Sequence, residues 1–204
     1  MSRLFRVLVV AAVALGVAAP SAAAVPNLGG LWKQVLETPT PDNPFTGGDP
    51  CVDLGGAVAP FGPFSPTIRC TVTQGTKVFV TAFTSECSTL EAGTPFFGGN
   101  PRELRACARA VDAGITRTDV LLDERAVPVN EVESGLLRLN LPADNIFGAP
   151  AGTGPLSVAH GWVAHLGRPL TPGTHTINIH IEGTYLGAPV GFTNVTTIIV
   201  QPRG

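Results

Sequence analysis

Apolar residues in this chain recur in short runs separated by Gly and Pro, and the runs carry two different periods. Residues 51–59, 67–73, 76–84, 117–122, 126–132, 135–141, 157–166, 174–182 and 190–200 read as strands bounded by turn residues. In LLRLNL, Leu137, Leu139 and Leu141 alternate with Arg138 and Asn140, the period of a half-buried strand. Ile177, Ile179 and Ile181 repeat that spacing. KVFVTAF is apolar or small at nearly every position, which predicts a central strand covered on both faces. Asp123-Glu124-Arg125 reads as a hairpin turn. Only NPRELRACARAVDAG has a strong helical period: Leu104, Cys107, Ala108 and Val111 share one face. Asn100 is placed to cap it, Pro101 occupies its first position and Gly114 its end.

Many short strands with one inserted helix predict a mainly β fold. The expected form is an antiparallel β-sandwich, jelly-roll or Greek-key-like, with one short inserted α-helix. Residues 51–204 form its single domain. Residues 25–50 are expected to be an irregular arm, because PTPDNPFTGGDP is turn chemistry. Trp32 and Leu36 would pin that arm to the domain.

Residues 1–24 have a different character. Arg3 and Arg6 precede an apolar run, and Ser21-Ala22-Ala23-Ala24 closes it with small side chains. That order describes a secretory signal peptide cleaved after Ala24. The apolar run is short of the ~20 residues that span a bilayer. The expected product is secreted to the extracellular space, with no membrane insertion after cleavage. The excess of Arg over Lys, with abundant Ala, Gly and Val, points to a bacterial source of high GC content.

The whole chain has 13 basic and 15 acidic residues. Losing Arg3 and Arg6 makes the mature product more acidic still. Scattered charges of that net sign give no electrostatic reason to bind nucleic acid. Cys51, Cys70, Cys87 and Cys107 are an even set in an exported chain, which predicts disulfides. Three pairings are possible. Cys51–Cys70 with Cys87–Cys107 is favoured, because each closes a loop of about 20 residues worth roughly 3 kcal/mol.

The stretch WVAHLGRPLTPGTHTI, together with NPFTGGDPC, RCTVTQGTKVFV and SECSTLE, resembles a family of uncharacterised secreted bacterial proteins. Their C-terminal signature is W-x-x-x-L-x-x-P-L-x-P-G-x-H-T-I. Leu170, Pro172, Gly173, His175 and Ile177 fit it, and the resemblance spans residues 32 to 200. His160 stands where that family carries an acid before Gly161, and no aromatic residue separates Gly161 from Trp162. The resemblance implies a fold and lends no mechanism.

Candidate chemistry is sparse. All four histidines lie between residues 160 and 180. Pro172-Gly173 predicts a hairpin joining 157–166 to 174–182. Strand parity then turns His160 and His175 inward and His165 and His180 outward. His165, His180 and Glu182 are the weak metal candidates of that hairpin. They fall short of a supported set of zinc ligands, so no metal and no cofactor is expected. His175 is expected to be a structural histidine bonded to turn backbone. Glu86 and Glu91 bracket a loop beside Cys87, and with His175 they form the possible polar site. A carboxyl pair can run acid–base chemistry, yet no nucleophile motif accompanies it. Phe45, Phe61, Phe64, Phe96 and Phe97 sit in loops, as a binding rim or as caps over the sandwich ends. The favoured reading is a non-enzymatic exported protein that binds an extracellular or cell-envelope partner through its loops. The alternative is a secreted hydrolase that uses the carboxyl pair with a histidine.

Overall fold

The computed structural model describes residues 27–63 and 65–204. The expected signal peptide and Phe64 lie outside the described residues. The fold is mainly β: the described residues form two α-helices and three sheets, of which two mix parallel and antiparallel pairs. The first sheet holds β1 (Cys51–Asp53), β2 (Ala57–Pro60) and β4 (Lys77–Val78) in the order β1-β2-β4. A five-stranded sheet has the order β3-β12-β11-β6-β7. Its strands are β3 (Thr67–Thr73), β6 (Ile115–Leu122), β7 (Arg125–Ala126), β11 (Gly173–Tyr185) and β12 (Ala188–Gln201). The third sheet runs β5-β10-β8 from β5 (Val80–Ser88), β10 (Leu156–Ala164) and β8 (Val129–Glu133). β9 (Leu137–Arg138) also pairs with β10.

The pairing is not purely antiparallel. β12 runs parallel to β3, and β2 runs parallel to β4. Neither parallel neighbour leaves a local sequence signal, since each is reached by a long connection.

The sheets stack as layers. Ile177, Ile179 and Ile181 of β11 meet Val80 and Ala82 of β5 in one core, which joins the five-stranded sheet to the β5 sheet. Leu104, Ala108 and Val111 of α2 (Pro101–Asp112) pack on Cys87 and Val158. A third core packs helix α1 (Leu28–Leu36) against Phe61, Phe79, Ala159 and Val163. The β5 sheet is therefore a middle layer with both faces covered. Its strands accordingly lack alternation: β10 is buried at seven of its nine positions.

Helix α1 corrects the expectation of an irregular arm over 25–50. Asn27 caps it by accepting the Gly30 amide at 2.9 Å. Leu28, Leu31, Trp32, Val35 and Leu36 form one buried stripe. That spacing outweighs the cost of Gly29 and Gly30, which is about 1 kcal/mol each in a helix. Trp32 and Leu36 do pin the segment down, as expected.

The predicted 157–182 hairpin does not form. β10 already lies between β5 and β8, and β11 lies between β12 and β6. Residues 165–172 carry the chain from the middle sheet to the five-stranded one. Gly167, with φ 76°, and Pro169 supply turn geometry. Turn residues specify a change of direction, not which neighbour the next strand meets.

The cysteines pair as Cys51–Cys70 and Cys87–Cys107. The first ties β1 to β3, and the second ties β5 to α2. Such bonds belong to an oxidising environment. Among the described residues no helix is long and apolar enough to cross a membrane.

Candidate functional site

The side chains of β5 alternate between two covered faces, so its polar residues are buried as well. Glu86 is only 6% exposed. It accepts the Ser157 hydroxyl from β10, the neighbouring strand. Glu91 sits on the turn that follows β5, where Thr94 donates its amide to the Glu91 carbonyl at 3.0 Å. Its carboxyl accepts the Ser88 hydroxyl at 2.9 Å. The two carboxyls also hydrogen-bond to each other.

Two carboxylates cannot both remain charged at that separation in a dry site. Burial, reinforced by the charge of Glu91, pushes the Glu86 carboxyl up to about 8. Burial also raises Glu91. At neutral pH Glu86 therefore carries a proton that it shares with Glu91.

The pair opens onto a cavity of about 950 Å³. Trp32, Phe45, Phe61, Phe83, Phe96 and Phe192 supply aromatic wall, with Ile68, Ile146 and Ile179 between them. Trp32, Phe45 and Phe61 form one ring cluster, with centroids 5.5–6.0 Å apart. Of the loop phenylalanines, Phe45, Phe61 and Phe96 thus line the cavity, whereas Phe97 is exposed. Among the described residues, no Lys, Arg or His lines it.

His175, the third member of the expected polar site, lies elsewhere. One ring nitrogen contacts the Asp123 carboxylate at 2.7 Å, and the other contacts the Thr171 carbonyl at 2.9 Å. Both contacts are acceptors, so they favour imidazolium and raise its pKa, the Asp123 bond foremost. His175 is a structural histidine that braces the β6–β7 turn. His165 and His180 are separated as well. His180 contacts Glu182 at 2.8 Å and Thr193 at 3.0 Å on the five-stranded sheet, while His165 follows β10 in the connecting loop. Among the described residues no three His, Cys, Asp or Glu side chains gather as a metal site.

His160 has a different cluster, on the α2 side of the middle sheet. Its Nδ1 contacts Asp112 at 2.9 Å, and the Ser85 hydroxyl donates to the same carboxylate at 2.9 Å. Its Nε2 lies 3.2 Å from Glu131. The Asp112 bond, opposed by burial, raises the His160 pKa. Ser85 and His160 both reach for Asp112 rather than for each other. A nucleophilic triad needs the histidine between serine and acid. This cluster therefore ties the last turn of α2 to the sheet.

Sequence reasoning placed Glu86 and Glu91 as a candidate pair but missed Ser157, Ser88, Asp112 and Glu131. Ser157 reaches Glu86 only through the β5–β10 pairing, in which Ala159 lies opposite Glu86, and that pairing leaves no local sequence signal. Asp112 ends a helix whose N-terminal acid is the expected one, so only packing reveals its role. No family model, curated protein or solved structure matches the chain.

Proposed function

We propose that this is an exported, non-enzymatic binding protein, and that it receives an apolar partner group in the cavity beside β5. The observation that carries this reading is the cavity wall: eleven aromatic and isoleucine side chains, uncharged hydroxyl and amide groups between them, one carboxyl pair and, among the described residues, no cation. A volume of about 950 Å³ lies within the ~300–1,000 Å³ of ligand sites, which are apolar with few polar groups. The loop between β2 and β3 and the segment around Phe147 form its rim, in keeping with binding through loops. Cell-envelope and extracellular molecules are the partners such a location offers. Titration with the neutral fluorophore N-phenyl-1-naphthylamine tests the reading. Saturable enhancement is expected, with loss on Thr193→Trp at the cavity mouth. No saturable enhancement with folded wild-type protein would overturn it.

A second reading, a secreted hydrolase, draws support from the shared proton of Glu86 and Glu91. Such a pair can hold an attacking water, as carboxyl dyads do. A histidine, which the sequence reading had included, takes no part. Hydrolysis of denatured protein near neutral pH, abolished by Glu91→Gln, is its expected signature. Activity unchanged by that variant would remove the pair from catalysis.

A further inference from the structure

The edge of β5 is covered at both ends and open in the middle. At one end the Phe79 amide donates to the Val58 carbonyl of β2 at 2.8 Å. At the other, Ser88 pairs as a parallel bridge with Phe97: its amide donates to Phe96 at 3.0 Å, and its carbonyl accepts from Gly98 at 3.3 Å. Ser88 therefore directs its main chain away from β10, and Thr89 directs its amide toward β10, onto Leu156. Main-chain direction alternates along a strand. Glu86 and Thr84 consequently point their amides and carbonyls the same way as Ser88. Among the described residues, no hydrogen bond from outside β10 reaches either main chain.

What lies beyond this edge is the cavity. Thr81 through Glu86, six consecutive residues, line it. At about 3.3 Å per residue, that is roughly 20 Å of strand edge facing open space. Unpaired strand edges are templates for another strand. A lipid or small aromatic molecule would fill the apolar wall and leave those amides and carbonyls unpaired. An extended peptide satisfies both. The bridge at Phe97 shows that backbone already reaches this edge at pairing distance, one residue pair beyond the opening. The charge adds a further requirement. Among the described residues, Glu86 and Glu91 make no ion pair, and the cavity wall has no cation to offset them.

We propose that the open middle of the β5 edge takes an extended peptide segment of a partner protein as an added strand, with a lysine or arginine of that segment meeting Glu86 and Glu91. This deepens the cavity reading and rests on it. The apolar side chains alternating with the pairing positions enter the aromatic wall. The cation replaces the shared proton as the neutraliser of the pair.

The test is to pan a displayed library of random decapeptides against the full chain with its disulfides intact. Enriched sequences are then synthesised and their affinities measured. Enrichment of alternating apolar residues around one Lys or Arg is expected, in competition with N-phenyl-1-naphthylamine. Methylating the two central peptide amides removes their donors and is expected to weaken binding tenfold or more. Replacing the cation by norleucine should also weaken wild-type binding about tenfold, and should have less effect on Glu91→Gln. If the fluorophore binds and no peptide is enriched, the strand-addition proposal is overturned while the cavity reading stands. Peptides that tolerate N-methylation overturn it too. If neither fluorophore nor peptide binds, both readings fall.

Discussion

β11 and β5 are both rich in apolar residues, and they solve opposite problems. β11 has a hydrogen-bonded neighbour on each side, β12 and β6. Only one of its faces is fully covered. Ile177, Ile179 and Ile181 point inward, while Asn178, His180 and Glu182 point out toward solvent. β5 has covers on both faces and, among the described residues, a neighbouring strand on one side only. Three of its buried polar residues are paired: Ser85 with Asp112, Glu86 with Ser157, Ser88 with Glu91. Hydropathy reports what covers the faces of a strand. It says nothing about its edges. KVFVTAF was correctly read as covered on both faces, yet the strand it leads into is an edge strand.

The largest expected effect tests the one-faced character of β11. Ile181 is fully buried. Ile181→Ala should cost about 4 kcal/mol, the transfer loss plus the cavity left behind. The adjacent His180→Ala should change stability by less than about 0.5 kcal/mol, because its partners are exposed. On β5 the same pair of experiments should lose that contrast: Ser85→Ala and Glu86→Ala, on opposite faces, should each cost about 1 kcal/mol or more. Urea denaturation midpoints measure all four. Near-neutral results for either β5 variant would mean that one face of the strand is not covered as described.

The two disulfides divide between the same regions. Cys51–Cys70 fastens β3 of the five-stranded sheet, and Cys87–Cys107 fastens β5 to α2. Replacing Cys87 and Cys107 together by Ala should cost about 3 kcal/mol. Hydrogen exchange should show α2 and β5 opening first, with β11 and β12 still protected. Uniform loss of protection would mean that the two regions unfold as one unit.

How far the sequence carried depends on the region. The five-stranded sheet was legible because its strands alternate. Residues 67–73 match β3 end to end, and 174–182 and 190–200 lie within β11 and β12. Helix α2 was legible through Asn100, Pro101 and its apolar stripe, and the disulfides through loop length. Helix α1 carried an apolar stripe too, but the turn chemistry of PTPDNPFTGGDP had drawn the whole of 25–50 into an irregular arm. The sheet partners were not legible. Nothing local in Leu156–Ala164 says that it pairs with β5 rather than β11. The carboxyl pair was half legible: Glu86 and Glu91 were named from proximity in sequence, while His175 was grouped with them by chemistry and lies at the β6–β7 turn. A histidine's role depends on which turn it folds against, and residue type alone does not encode that.

Proton linkage separates the two regions by sign. Unfolded Glu86 titrates near 4.5, and folded near 8. Between those values the folded state holds more protons, so stability falls as pH rises. His160 acts in the same direction. The Asp112 bond raises its folded pKa, so its contribution is present below about 6.5 and is lost as pH climbs through the folded value. In the five-stranded sheet, Asp123 works the opposite way. Slight burial opposes ionisation, but the bonds from His175 and the Thr176 amide outweigh it and lower the pKa. Its contribution is lost as pH falls through that lowered value. Glu86→Gln should therefore remove much of the alkaline decline and leave the acid limb unchanged. The expected result is that the variant gains on wild type as pH rises from 5 to 9. Urea midpoints at the two pH values measure it. Parallel changes in wild type and variant would relieve Glu86 of that role.

The smallest effect concerns turn backbone. Asp123 and Glu124 form the two-residue turn between β6 and β7, at φ 47° and 67°. Hairpins favour such left-handed pairs, but a side chain there costs roughly 1–2 kcal/mol. Glu124→Gly relieves that strain and partly returns the gain by freeing the unfolded chain. The net expectation is about 0.5 kcal/mol of added stability, seen as a melting rise of about 1–2 °C. Asp123→Gly should not help, because Asp123 accepts from His175 and from the Thr176 amide at 2.8 Å. The middle sheet offers the reverse case. Gly161 has φ 151° beside the β5–β10 bulge, and a Cβ there would lie 2.3 Å from the Phe83 carbonyl oxygen. Gly161→Ala should thus destabilise by more than Glu124→Gly stabilises. A turn in solvent can relax around a side chain, whereas a strand covered on both faces has nowhere to move.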